Sequence, residues 1–258
     1  MFLKGIKRIA PLVTLFLITS VVLFAQKGER DHVITWTPTS LAFTKIGLGY
    51  EYTLNEKIGL RLGIGWSYVT PGLIDSEFSN SNDVALYGEP DFDGLDITPE
   101  LRFYPGGKAA EKFFIGPFLR YYKYGINNLA FDFEDGGGVD RTGEGDFNVN
   151  GFGGGIVLGG QWIANNGFVF GIHTGFGYAV AKFSGEVRNV SGVEPEEYKG
   201  LEQDLIDELN DIGANGEDNT IFDANDFGTY STSNSVGMDS PNFPAPIIRF
   251  GLSIGYAF

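Results

Sequence analysis

Charged side chains recur in this sequence at alternate positions, between glycines and small polar residues. Alternate residues of an extended strand point to the same side, so each charged residue shares a face with the small ones. These residues are Glu51, Arg61, Asp96, Glu100, Arg102, Arg120, His173 and Arg249. If that face encloses an interior, opposite charges must pair, because an unpaired buried charge costs several kcal/mol. The pattern predicts a salt-bridged network that fills an interior and fixes strand register, or else a ligand site or narrow gated path among the Arg residues.

Histidine is the side chain best suited to acid–base chemistry at neutral pH, and the chain has only two, His32 and His173. A lipid-modifying hydrolase would need a nucleophile such as Ser beside a His base and an acidic partner. His173 stands in the sequence Phe-Gly-Ile-His-Thr-Gly, and no G-x-S-x-G motif accompanies it. We therefore expect no catalytic residues, and we interpret His173 as a hydrogen-bonding group of the interior.

Motifs for cofactors and metals are weak. The Gly clusters do not follow G-x-G-x-x-G, and no Gly-Lys-Ser/Thr follows them. Asp135 to Asp146 and Asp218 to Gly228 are rich in the oxygen ligands that Ca²⁺ requires, but neither has the spacing of a helix-loop calcium site. We expect no cofactor. Divalent cations are expected to order the acidic loops, because they can bridge carboxylates to anionic lipid head groups.

Charge and export signals narrow the class of protein further. The formal net charge of -15 argues against nucleic acid as a partner, since nucleic acid requires a basic surface. With no Cys, the chain has no disulfide framework. Lys4, Lys7 and Arg8 precede the apolar run Ile9 to Phe24, and Ala25 follows it. This is the arrangement of a secretory signal peptide, so we expect residues 1–25 to be removed and residues 26–258 to form one exported domain.

Seven stretches alternate large apolar residues with small or polar ones, which is typical of strands with two different faces. They are Thr44–Leu54, Ile58–Val69, Leu95–Tyr104, Phe113–Ile126, Phe147–Ile163, Phe168–Phe183 and Ala245–Phe258. Pro99 lacks a ladder donor and predicts a bulge or local irregularity. Short polar turns at Asn55, Pro105 and Asn165 separate alternate pairs of these strands.

Long acidic segments connect the remaining pairs. They are Pro71–Asp93, Asn127–Gly145 and Ser184–Pro244, and we expect them to be loops. Within the last one, apolar residues recur at helical spacing, which predicts a short amphipathic helix over Glu194–Ile212. Its apolar positions are Tyr198, Leu201, Leu205, Leu209 and Ile212. Asp218–Asp239 is expected to be irregular.

The number of strands follows from the alternation of short turns and long loops. Single-chain bacterial outer-membrane barrels have an even strand number, with short turns at one end and long loops at the other. If both termini lie at the short-turn end, one further strand must precede Thr44, and Val33–Ser40 is the candidate. We expect it to turn near Ala42 and Phe43 and to close a ring by pairing with Ala245–Phe258. The fold class predicted is all-β: an eight-stranded antiparallel up-and-down transmembrane β-barrel with long extracellular loops and a short helix in the last loop.

The end of the chain carries a recognisable pattern. Ile254, Tyr256 and Phe258 alternate along the last strand and finish on an aromatic residue. This resembles the closing signature of small eight-stranded outer-membrane barrels of the OmpA/OmpX type. The resemblance implies the bacterial outer membrane as location, and outer-membrane lipids, lipopolysaccharide and the barrel-assembly machinery as partners. Because the chain stops at Phe258, we expect no periplasmic domain.

The sequence therefore favours a non-enzymatic integral outer-membrane protein with a structural or surface-interaction role. Its acidic loops would face the outside and meet an extracellular ligand that the sequence does not identify. Three alternatives stay open: a narrow channel or small-ligand transport barrel, a lipid A-modifying enzyme, and a soluble lipid-binding barrel with apolar residues inside.

Overall fold

The structure is a computed structural model that describes residues 30–69, 85–87, 91–134, 140–203, 206 and 227–258. Within these residues the chain is all β apart from a 3-10 helix at Pro38–Phe43 and a helical segment at residues 198–203. The strands in chain order are β1 (His32–Thr37), β2 (Lys45–Asn55), β3 (Ile58–Val69), β4 (Ala85–Tyr87), β5 (Asp91–Phe103), β6 (Lys112–Glu134), β7 (Asp140–Ile163), β8 (Phe168–Arg188), β9 (Gly228–Ser231), β10 (Ser235–Asp239) and β11 (Phe243–Ala257).

In the described part of the chain, eight strands form a closed ring: β1, β2, β3, β5, β6, β7, β8 and β11, with β11 returning to β1. Every neighbouring pair is antiparallel, so the ring runs up and down. Three short connections, β2–β3, β5–β6 and β7–β8, lie at the same end as the start of β1 and the end of β11; we refer to this as the short-turn end. The opposite end is the long-loop end.

The seam between β1 and β11 closes the ring. Val33 lies opposite Ala257 and Trp36 lies opposite Ile254. The predicted eighth strand and its pairing with the last strand are confirmed, although the strand ends at Thr37 and the rest of Val33–Ser40 belongs to the 3-10 helix. This helix turns the chain into β2, so residues 31–54 are not one unbroken strand.

The two faces of the ring differ as the alternation predicts. Along β3, the side chains of Leu60, Leu62, Ile64 and Trp66 are exposed on the outer face, whereas Arg61 and its glycine neighbours are buried inside. The other ring strands repeat this division. Apolar side chains therefore cover the outside, and charged and small side chains fill the inside.

One predicted loop is wrong. Asn127–Gly145 is not a loop throughout, because β6 continues to Glu134 and β7 already begins at Asp140. A register shift between Ile126 and Leu129 marks the place where the hairpin leaves the apolar part of the ring. Sequence composition misses this extension because ladder hydrogen bonds join backbone groups, and they hold polar strands together as well as apolar ones.

Short strands also occur in the other two predicted loops. β4 pairs with β6 within Pro71–Asp93, and β5 itself begins at Asp91. β9 and β10 form a hairpin within Asp218–Asp239, and β10 pairs with the upper part of β8. Pro99 produces no bulge: β5 keeps one register with β6 on either side of it, and only the ladder is interrupted there.

The predicted amphipathic helix is confirmed in part. Residues 198–203 are helical, and Tyr198 is buried with its hydroxyl accepting a hydrogen bond from the Val190 N–H at 2.9 Å. Leu205, Leu209 and Ile212 lie outside the described residues. Among the helices that the structure describes, none combines the length and the apolar character needed to cross a membrane.

Glycines let β7 and β8 approach each other closely. A Cβ atom at Gly155 would overlap the carbonyl oxygen of Phe176 and the Cα of Gly177. The glycine run that leaves the register of β7 ambiguous in the sequence is thus required by the contact between two backbones, which cannot move apart without breaking their ladder.

We predict that Gly155→Val lowers the free energy of unfolding by at least about 3 kcal/mol, because the backbone itself must shift to accept the side chain. Urea unfolding followed by tryptophan fluorescence measures the change. Gly63→Ala is the control, since its new Cβ would lie 3.2 Å from Arg61 Nη1 and no closer than 3.5 Å to a backbone atom. Equal losses for the two variants would contradict this account.

Candidate functional site

Glu100 lies at the centre of the ring interior, with a fully buried side chain. Its Oε1 accepts hydrogen bonds from Arg61 Nη1 at 3.3 Å and from Arg249 Nη2 at 2.7 Å. Its Oε2 accepts from Arg102 Nε at 2.9 Å and pairs with Arg102 Nη2 at 2.8 Å. One carboxylate thus holds three guanidinium groups and joins β3, β5 and β11 across the interior.

Glu51 is the second carboxylate of this network. Its Oε2 accepts a hydrogen bond from Arg102 Nη1 at 3.0 Å, and its Oε1 accepts one from the Tyr104 hydroxyl. Gln161 Nε2 lies 3.5 Å from the same Oε2 and donates a shorter bond, 2.8 Å, to the carbonyl oxygen of Ala110. We name this network the deep cluster; it consists of Glu51, Arg61, Glu100, Arg102, Tyr104, Gln161 and Arg249.

Apolar side chains fill the ring below the deep cluster, at the short-turn end. Val33, Ala110, Val169 and Ala257 form a cluster in which no side chain is more than 2% exposed. Ala110 belongs to the β5–β6 turn, so this turn folds inward over the opening. Aromatic rings add to the packing, and the Arg102 guanidinium lies 4.0 Å from the centre of the Phe114 ring. The short-turn end is therefore filled by side chains.

A second group of charged side chains lies nearer the long-loop end. Asp96 Oδ2 accepts hydrogen bonds from Lys45 Nζ at 2.8 Å and from the Tyr124 hydroxyl at 3.1 Å. Arg120 Nη2 is 3.5 Å from the same oxygen and donates to the Tyr124 hydroxyl at 3.0 Å. We name Lys45, Asp96, Arg120 and Tyr124 the upper cluster.

A cavity of about 720 Å³ occupies the interior between the deep cluster and the long-loop end. Arg61 and Arg249 of the deep cluster line it, as does every member of the upper cluster. Phe147 and Phe183, whose rings stack with centroids 6.3 Å apart, contribute apolar wall. The interior is thus filled at one end and hollow at the other, which the sequence did not predict.

His173 lines the same cavity and is buried. It is not hydrogen-bonded to a Ser in the described residues, and its ring lies against Gly251, where an added Cβ would overlap it. The glycine on β11 therefore makes the room that this imidazole occupies. The predicted hydrogen-bonding role of His173 stays a prediction.

All the charged residues predicted to face one interior do so. Glu51, Arg61, Glu100, Arg102 and Arg249 meet in the deep cluster, and Asp96 meets Arg120 in the upper one. The alternation of Leu95–Tyr104 and Phe113–Ile126 predicts the inner face for Tyr104 and Tyr124 but not their partners, whereas Lys45 and Gln161 were not predicted to belong to these networks. Lys45 and Glu51 occupy alternate positions of the same strand, so the sequence does place Lys45 on the inner face. For Gln161 the sequence does not determine which face the side chain is on, because the glycine run before it leaves the register of β7 ambiguous.

Two predicted features lie outside these networks: the C-terminal aromatic pattern and the acidic stretches that could bind Ca²⁺. Phe258 stacks on His32 with ring centroids 5.6 Å apart, so the terminal aromatic packs on the β1–β11 seam, and Tyr256 is partly exposed on the outer face. Residues 135–139 and 218–226 of the two acidic stretches are not described. Among the described residues, no group of three acidic or His side chains is placed to hold a metal ion.

We predict that Glu100→Gln destabilises the protein by about 3–5 kcal/mol, because it leaves three buried guanidinium groups without their shared carboxylate. The matched control is Glu111→Gln, whose partner Lys108 is largely exposed and whose loss should cost about 0.5 kcal/mol or less. Urea unfolding measures both variants. A Glu100→Gln loss no larger than that of the control would show that the network does not stabilise the fold.

Most of the ring lies in a part of the chain that matches a known family model. The family model described as a protein of unknown function (DUF3575) matches residues 13–188, which include the ring strands β1 to β8. Comparison with curated proteins and with solved structures found no match. The match extends over more than half of the chain and includes every deep-cluster residue except Arg249. The chain therefore belongs to the DUF3575 family.

Proposed function

We propose that the protein is a non-enzymatic, integral outer-membrane β-barrel of the bacterial cell, exported by its N-terminal signal peptide. The observation that carries this proposal is the continuous outer face of exposed large apolar side chains on a ring whose inner face is charged. A soluble barrel for lipids would reverse the two faces. In water, so large an exposed apolar surface would be an aggregation hazard; in lipid it is the required surface.

Strand lengths and aromatic positions support the same proposal. β2, β3 and β5 have 11, 12 and 13 residues, close to the length that a tilted strand needs to cross a bilayer. Exposed aromatic side chains gather near both ends of the apolar face, as in the interfacial girdles of membrane barrels. They are Tyr50, Tyr52, Phe103, Phe113, Trp162 and Phe168 toward the short-turn end, and Trp66, Tyr121, Phe152, Phe176 and Tyr178 toward the other.

The polar strand extensions give the proposed barrel an orientation. β6, β7 and β8 continue past the apolar face and pair there with β4 and β10, whereas the short-turn end has only tight turns. Membrane barrels place short turns in the periplasm and longer segments outside. In this orientation the acidic extensions meet lipopolysaccharide and the surroundings of the cell, and the seam strand β11 is the element that the barrel-assembly machinery would recognise.

We predict that Ile64→Arg lowers the free energy of unfolding from lipid vesicles by about 2–4 kcal/mol, because it places a charge near the middle of the lipid-facing surface. Ile64 is 44% exposed and lies between Leu48 and Ile97. Leu41→Arg, in the 3-10 helix at the long-loop end, is the control and should cost only about 0–1 kcal/mol. On a soluble protein both would be ordinary surface changes, within about 0.5 kcal/mol.

The filled short-turn end favours a closed barrel over a channel. We predict that the purified protein gives no single-channel steps in planar bilayers in which a general porin conducts. An eight-stranded barrel has an interior only about wide enough for side chains, and here the deep cluster and the apolar cluster below it occupy that width. Reproducible conductance that Arg120→Ala alters would overturn the closed barrel and favour the narrow channel.

Two other candidate functions have different support. The cavity favours a small-ligand barrel as the second candidate, since it lies within the size range of small-molecule sites. A lipid A-modifying enzyme has weaker support, because His173 has no Ser partner in the described residues and sits inside the ring, away from lipid. A mass shift of lipid A on expression of the protein would restore that candidate.

A further inference from the structure

We propose that the cavity is a binding site for a small organic anion, whose oxyanion head lies at Arg120 and Arg249 and whose apolar body lies against Phe147 and Phe183. This inference goes beyond the proposed function. It rests on the ring and its cavity and does not depend on the membrane location.

The interior of the ring carries an excess of positive charge. Among the inward-facing side chains that the structure describes, five cations, Lys45, Arg61, Arg102, Arg120 and Arg249, meet three carboxylates, Glu51, Asp96 and Glu100. Asp93 also borders the cavity, but it is exposed and accepts a hydrogen bond from Asn127. The whole chain, by contrast, has a formal net charge of -15. An uncompensated charge inside a narrow ring is unfavourable unless something neutralises it. An anion in the cavity would do so.

The excess is concentrated on two guanidinium groups that line the cavity. Arg249 donates one hydrogen bond, from Nη2 to Glu100, and its buried Nη1 has no acceptor. Arg120 Nη2 donates to Tyr124 and lies 3.5 Å from the Asp96 carboxylate, and its buried Nε has no acceptor. A guanidinium has five N–H donors arranged for planar oxyanions. Because Arg249 Nη1 and Arg120 Nε are enclosed, an anion in the cavity would bind each group through its other nitrogens. Their side chains are 11% and 14% exposed, which leaves part of each accessible from the cavity.

Part of the cavity lining is apolar, which favours an organic anion over an inorganic one. The stacked rings of Phe147 and Phe183 lie on the wall together with Phe92, so part of the ligand must be apolar. The volume of about 720 Å³ is within the range that holds small organic molecules. A carboxylate or phosphate ester with an aromatic or short aliphatic body matches both halves of this lining.

The test uses the full-length mature protein in a non-ionic detergent and follows trifluoromethylbenzoate by fluorine NMR, with the neutral trifluoromethylbenzyl alcohol as the matched probe. We expect saturable binding of the benzoate and only non-saturable partitioning of the alcohol. Arg120→Met and Arg249→Met should each weaken benzoate binding roughly tenfold, as expected for the loss of a charge-assisted hydrogen bond. Lys123→Met removes the same charge from the exposed side of β6 and should leave the affinity unchanged.

Asp96→Asn is a variant that should strengthen binding, so its expected result cannot be produced by misfolding. It keeps the shape of the side chain but removes the carboxylate that pairs with Lys45 and Arg120, so benzoate should bind several-fold more tightly. Equal binding of acid and alcohol, no saturable benzoate binding, or equal weakening by Lys123→Met and Arg120→Met would each overturn the site. None of these outcomes bears on the Ile64→Arg test of the membrane location.

Discussion

The structure depends on one buried carboxylate, that of Glu100. Around the deep cluster the ring is filled by side chains, so charges there must be neutralised by other side chains. Glu100 accepts from guanidinium groups on its own strand β5, on the neighbouring β3 and, across the interior, on β11. A slip of one residue in any of them would turn its Arg to the outer face. The ion pairs and the apolar outer face therefore specify the same register, because a one-residue slip that breaks the ion pairs also turns apolar side chains inward.

Small residues on the opposite wall make this network sterically feasible. The inner positions of β7, β8 and β11 are mainly glycine and alanine, which leave room for the long side chains that reach in from β3, β5 and β6. Arg249, on the small-residue side, lies 4.7 Å from the centre of the Phe118 ring. The interior is thus asymmetric across its width, with bulky charged side chains on one wall and backbone close to the axis on the other.

Much of this fold could be predicted from the sequence, because the inside and outside of a ring differ in every strand. Alternation identified the interior charges, and the parity of turns and loops identified the weak first strand. What could not be predicted depends on local geometry. Ala110 points into the ring because its backbone adopts φ 60, and Gln161 follows a glycine run whose register is set only by the contact with β8. The polar extensions of β6 and β7 were missed because the ladder between their backbones leaves no apolar alternation in the sequence.

The difference in charge between the interior and the long-loop end has a consequence for any anion that enters the cavity. The strand extensions at the long-loop end carry carboxylates, among them Glu144, Asp146 and Glu186, so an approaching anion is repelled there before it reaches the cationic interior. Salt screens exposed charges much more than buried ones. Added salt should therefore speed the entry of an anion by weakening the outer repulsion, and should weaken its retention by the partly buried Arg120 and Arg249 much less. In such a ring the acidic long-loop end controls the rate of access, whereas the interior guanidinium groups control the affinity.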